Sequence, residues 1–87
     1  MYEVELSRKA AKFYQTADTV TVRRLNRALA ILSNDPFRHY TIKKLSGELA
    51  GSYRMRVGAM RIIYSVDNNK KIAYIEVIRF RGDVYKG

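Results

Sequence analysis

Arginine supplies most of the chemistry this 87-residue chain could perform. Arg54, Arg56 and Arg61 fall in one stretch, YRMRVGAMRIIY over residues 53–64, and Arg79 and Arg81 follow near the C-terminus with Tyr85 beside them. Guanidinium groups bind phosphate through paired N–H donors and stabilise negative charge as it develops on a phosphoryl group. They are poor at moving protons, because arginine stays protonated and tyrosine titrates near about 10. A catalyst assembled from such groups would work slowly on free RNA. It would need a substrate held with its 2′-hydroxyl in line with the adjacent phosphate, positioning supplying most of the rate. Other catalytic sets are missing: there is no Gly-rich phosphate loop, Cys-His pair, Ser-His-Asp set or close carboxylate pair. His39 is the only histidine and there is no cysteine, so neither a metal site nor a cofactor is expected and His39 reads as a surface residue.

The arginines need a scaffold that presents them together. Residues alternate in character on either side of Gly58-Ala59, and a two-residue loop with glycine first suits a β-hairpin with a type II′ turn. That register sets Val57 opposite Met60 and turns Tyr53, Met55, Val57, Met60, Ile62 and Tyr64 to one buried face. The other face carries Arg54, Arg56 and Arg61, with Arg56 directly across from Arg61. Like charges so opposed cost a few tenths of a kcal/mol or more, which points to a polyanionic partner for this face.

The remaining elements follow in chain order. Tyr2 to Leu6 alternates as a short half-buried strand with an acidic outer face. Ser7 stands as an N-cap for a helix to about Thr16, with Ala10, Phe13, Tyr14 and Ala17 at helical spacing. Asp18 or Thr19 caps a second helix with an apolar stripe of Val22, Leu25, Leu29 and Leu32, ended by Asn34-Asp35-Pro36. Arg23, Arg24 and Arg27 read as the solvated face of that helix. Residues 37–52 show no period and read as a loop anchored by Leu45, its Lys43 and Lys44 pointing to a phosphate surface. After an Asp67-Asn68-Asn69-Lys70 turn, Lys71 to Arg79 forms a final, nearly continuous apolar strand, which suits a strand covered on both faces or a central one. With Asn68-Asn69 as the loop, Glu76 falls opposite Arg61. The same register gives Arg79 the parity of the buried face, so either the strand has ended or a bulge re-aims it. The sequence therefore predicts an α+β fold: an N-terminal strand, two helices, then a three-stranded antiparallel sheet with the helices on one face and the arginines on the other.

Composition narrows the partners. Six basic residues meet four acidic ones before Arg38, and eleven meet four from there on, so the formal charge of +9 is concentrated in the half that holds the hairpin. Nucleic acid is the first expectation, an acidic protein the second and an anionic membrane surface the third. No helix is basic on one face and bulky on the other, no apolar run approaches the ~20 residues that span a bilayer, and the N-terminal residues lack an apolar signal region. A single cytoplasmic domain over residues 1–87 is the expectation, with no membrane partner.

The order of elements, KKLSG ahead of the hairpin, YRMRVGAMRIIY and the terminal RFRGDVY together resemble the RelE/ParE superfamily of toxins from toxin-antitoxin pairs. The resemblance implies a RelE-like β-α-α-β-β-β fold and, for RelE-like members, cleavage of mRNA in the ribosomal A site. Attack by the 2′-hydroxyl would leave a 2′,3′-cyclic phosphate and inhibit translation. Carried over, the catalytic positions are Arg54, Arg56, Arg61, Arg79 and Tyr85, with Lys43, Lys44 and Arg81 as RNA-binding neighbours. The chain departs from the family pattern where RelE has lysine at the positions of Arg54 and Arg56, and where many relatives have histidine at Phe80, which leaves the general base unassigned. The implied partners are a RelB-like antitoxin, the ribosome and mRNA, and operator DNA only through the antitoxin complex, which represses its own operon. The alternatives are a ParE-like inhibitor of DNA gyrase on the same fold and a non-catalytic RNA-binding module.

Overall fold

The two helices start where their capping side chains sit. The computed structural model describes residues 1–81, so Tyr85 lies outside the described residues. After strand β1 (Glu3–Leu6), Ser7 caps helix α1 (Arg8–Thr16), its Oγ accepting from the Ala10 N–H at 3.1 Å. Asp18 caps helix α2 (Thr19–Asn34), accepting from the Thr21 N–H at 2.8 Å. That bond, backed by the Thr21 hydroxyl and more weakly by the Arg24 charge, holds the Asp18 carboxyl below its usual range.

The sheet then builds outward from the hairpin. Strands β2 (Ile42–Lys44), β3 (Ser52–Val57), β4 (Met60–Asp67) and β5 (Ile72–Phe80) combine with β1 in the order β1-β5-β4-β3-β2, parallel between β1 and β5 and antiparallel elsewhere. The hairpin has the register read from the sequence, Val57 facing Met60 and Arg56 facing Arg61. Gly58 has φ +58° and Ala59 does not share the positive sign, as a type II′ turn requires. The apolar run of β5 is explained by its interior place between β1 and β4. On one face Met55, Met60, Ile62, Tyr64, Ile75 and Ile78 close a core with Ala10 of α1 and Leu25, Ala28 and Leu32 of α2. The Tyr64 hydroxyl donates to the Pro36 carbonyl at 2.7 Å and so ties the segment after α2 to the sheet; burial pushes that phenol further up. No helix among the described residues is long and apolar enough to cross a membrane.

Two expectations are corrected. The segment 37–52 is not a plain loop: Ile42–Lys44 pairs with β3 as a fifth strand, and a 3₁₀ turn over Gly47–Leu49 follows, with Gly47 and Gly51 at φ +68° and +96°. The register between β4 and β5 also differs, because Asp67 pairs with Ile72 and residues 68–71 form the connection. Glu76 therefore does not face Arg61. It stands between Ile75, opposite Tyr64, and Val77, opposite Ile63, as the extra residue of a bulge. Up to the bulge Ala73 and Ile75 are buried; beyond it Ile78 is, so the bulge reverses the parity and turns Arg79 away from the core.

Ser7 holds this irregularity in place. Its N–H donates to the Ile75 carbonyl at 2.8 Å and its hydroxyl donates to the Glu76 carbonyl at 2.7 Å, while the same oxygen caps α1. Replacing Ser7 by alanine removes a cap and leaves a bulge carbonyl without its donor. Ser7→Ala is expected to cost about 1–2 kcal/mol, read as a lower urea midpoint with an unchanged m-value.

Candidate functional site

Three adjacent strands each contribute one arginine to the face that the helices leave uncovered. Arg61 of β4 pairs directly with Arg79 of β5, and Arg54 of β3 pairs with Ile63, one step along from Arg61 on the same face. Leu45, which follows β2, and Leu49 of the 3₁₀ turn complete the walls of a hollow of about 240 Å³ over Arg54, Arg61, Ile63 and Arg79. The three arginines are half-buried. The Nε atoms of Arg54 and Arg61 are shielded from solvent and have no hydrogen-bond partner among the described residues. A buried donor left unpaired costs about 1–3 kcal/mol, and arginine cannot relieve the cost by losing its proton.

Apolar walls around adjacent like charges give the hollow the chemistry to accept an anion. Among the described residues its lining contains no carboxylate, histidine or tyrosine, so the groups described there offer charge stabilisation rather than proton transfer. Among the described residues no group of three or more His, Cys, Asp or Glu side chains could hold a metal ion.

No protein-family model and no curated protein matches the chain. Among solved structures, a chain of the archaeal RelE-RelB complex from Pyrococcus horikoshii OT3 is 30% identical and superposes with a TM-score of 0.79, covering 93% of this chain and 96% of that one. The chain belongs to the RelE-like toxin family. The RelBE2 toxin-antitoxin complex of Mycobacterium tuberculosis contains a chain 26% identical at TM-score 0.79, with 92% and 98% covered. The isolated RelE toxin of E. coli shares the fold at TM-score 0.78 with 17% identity, 92% and 84% covered.

In this RelE-like toxin the residues singled out from sequence do not all meet. Arg54, Arg61 and Arg79 line the hollow together. Arg56, although it pairs with Arg61, is exposed and lines a different cavity, between α2 and the helix-facing side of β3. Lys43 pairs with Arg54 and so shares its side of the sheet; Lys44 pairs with Tyr53 and shares the opposite one, and both lysines are exposed. Arg81 is exposed, its N–H donating to the Ala59 carbonyl at 2.7 Å beside the hairpin turn. His39 is half-buried rather than free at the surface, its Nδ1 2.7 Å from the Thr41 hydroxyl. Sequence reasoning found Leu45 but missed Leu49 as a wall. The signal was the pair Gly47 and Gly51, whose positive φ values bracket the turn that places Leu49 over the sheet, 52% exposed.

Proposed function

We propose that this toxin is a ribosome-dependent endoribonuclease that cuts mRNA in the A site. The 2′-hydroxyl oxygen of the message attacks its own 3′-phosphate, the bond from phosphorus to the 5′-oxygen of the next nucleotide breaks, and the products carry a 2′,3′-cyclic phosphate and a 5′-hydroxyl. Arg54, Arg61 and Arg79 hold the non-bridging oxygens and stabilise the charge that grows on them. The observation that carries this reading is the grouping of Arg54, Arg61 and Arg79 around one apolar-walled hollow, with the Nε donors of Arg54 and Arg61 unpartnered among the described residues. None of the described groups lining it accepts the hydroxyl proton, so in-line positioning by the ribosome provides most of the acceleration and free RNA is a slow substrate. Tyr85, by the family pattern, stacks on or orients the substrate, and Lys43, Lys44, Arg56 and Arg81 contribute contacts along the strand. An antitoxin segment, acidic or amphipathic, is proposed to cover the basic face, as suits relatives found in RelE-RelB and RelBE2 complexes. Operator DNA would be reached only through that complex.

Primer extension on a defined mRNA, with and without translating ribosomes, tests the reading. Cuts are expected only with ribosomes and should move with the A-site codon. Arg61→Ala and Arg79→Ala are each expected to lower cleavage about 10²- to 10³-fold, as loss of one charge-stabilising donor does elsewhere, whereas Arg23→Ala on the exposed side of α2 stays within about twofold. Equal losses from all three, or no cleavage by folded, antitoxin-free protein, would reject it.

A further inference from the structure

A second cavity, of about 280 Å³, lies between α2 and the helix-facing side of β3. Arg24 and Arg27 stand one turn apart on α2 and line it, with Arg56 at its rim; all three are exposed, and no carboxylate among the described residues lines the space. Arg23, on the same helix, lines neither this cavity nor the hollow, so the basic face of α2 is not uniform.

Beside the guanidiniums stands an aromatic platform with one bare side. Tyr40 is 92% exposed, and its ring stacks on His39 with centroids 4.8 Å apart and an interplanar angle of 25°. Thr41 braces the imidazole from behind, its backbone nitrogen 3.3 Å and its hydroxyl 2.7 Å from His39 Nδ1. Packing does not call for a tyrosine at so exposed a position. The Gly58 turn also leaves room for the cations: a Cβ there would come within 3.2 Å of Arg24 Nη1.

A braced ring with a free face, next to clustered guanidiniums, is the combination that holds a nucleotide of a single strand, base on the ring and phosphate on the cations. An acidic peptide would satisfy the arginines and leave the tyrosine face without a partner. We propose that this cavity binds one nucleotide of single-stranded RNA, and that the nucleotide belongs to the message held in the hollow. The strand passes over the end of β3, just past the β2 ladder, where the Arg56 N–H donates to the Thr41 carbonyl at 3.1 Å and Arg56 pairs with Arg61. The assignment to the message rests on the hollow being the cleavage site; binding of RNA in the cavity does not.

The chain has no tryptophan, so Tyr40→Trp introduces a single indole whose emission reports stacking. Titrating that variant with a short single-stranded oligoribonucleotide is expected to quench the emission, and inorganic polyphosphate to leave it unchanged. Adding Arg24→Gln and Arg27→Gln should raise the RNA concentration required about tenfold or more, and Tyr40→Ala in the parent chain should weaken binding of a labelled oligonucleotide about tenfold. The proposal is overturned by an emission indifferent to RNA, by equal quenching with polyphosphate, by quenching indifferent to the arginine substitutions, or by a tighter response to an aspartate-rich peptide than to RNA. The titration involves neither ribosome nor cleavage, so its failure and the failure of the nuclease reading are separate results. On translating ribosomes, 4-thiouridine in the message beside the A-site codon is expected to crosslink to the segment holding His39 and Tyr40, and crosslinks to ribosomal RNA alone would overturn the assignment to the message.

Discussion

Replacing Arg61 by methionine is expected to raise the thermal stability of the toxin and to lower the proposed cleavage sharply in the same variant. Arg61 is flanked across the sheet by Arg56 on one side and Arg79 on the other, and its Nε is shielded from solvent with no acceptor. Each of those terms opposes folding. Like charges directly across a ladder cost a few tenths of a kcal/mol each, and an unpaired buried donor about 1–3 kcal/mol. Methionine keeps an unbranched stem of similar reach against Leu45, Leu49 and Ile63, so little packing is lost. A gain of about 1–2 kcal/mol follows, or about 5–10 °C in Tm for a domain of this size. The chemistry moves the other way, with the loss of the donor expected to lower ribosome-dependent cleavage at least as far as Arg61→Ala does. Thermal melts of the two chains and primer extension on ribosomes read both effects. A destabilised methionine variant would mean that Arg61 is held by a partner that supports the fold, and the case for a ligand-directed guanidinium would be lost.

The same logic explains which parts of the molecule could be read from its residues. The hairpin was legible because a two-residue turn around Gly58 leaves one parity for both strands, and every facing pair from Val57 and Met60 outward follows from it. The helices were legible from Ser7 and Asp18, whose oxygens cap them. Strand β2 was not, because Ile42–Lys44 is too short to display a period and its pairing with β3 is a tertiary fact. In the candidate site, residue types were visible and their grouping only in part. Arg56 shares a cross-strand pair with Arg61, yet it also lines the cavity beside α2, at the end of β3 where its N–H is bonded to the Thr41 carbonyl. The facing of Arg79 was visible only as a conflict. β5 carries apolar residues on both parities, so period-two reasoning could not locate the extra residue.

That extra residue makes two changes in β5 behave opposite to ordinary expectation. Deleting a residue from an interior strand normally turns everything beyond it to the wrong face. Here Glu76 is the residue without a cross-strand partner, and without it Ala73, Ile75 and Ile78 share one parity and Arg79 the other, which is the arrangement the bulge already enforces. Deletion of Glu76 is therefore expected to leave a folded chain with Arg79 still beside Arg61, cleavage within about tenfold of the parent, and a stability loss near about 1 kcal/mol from the Ser7 hydrogen bond. Insertion of one alanine between Ile78 and Arg79 is the damaging change. It leaves every buried residue of β5 in place but carries Arg79 into the position of Phe80, across from Met60 on the helix side. Contact between the Phe13 and Phe80 rings, 5.4 Å apart, is lost as well, at about 1 kcal/mol. Cleavage is expected to fall about 10²- to 10³-fold, as for Arg79→Ala, in a protein that still melts cooperatively. If the insertion were harmless, or the deletion abolished cleavage in a folded protein, Arg79 would not owe its place in the hollow to the bulge.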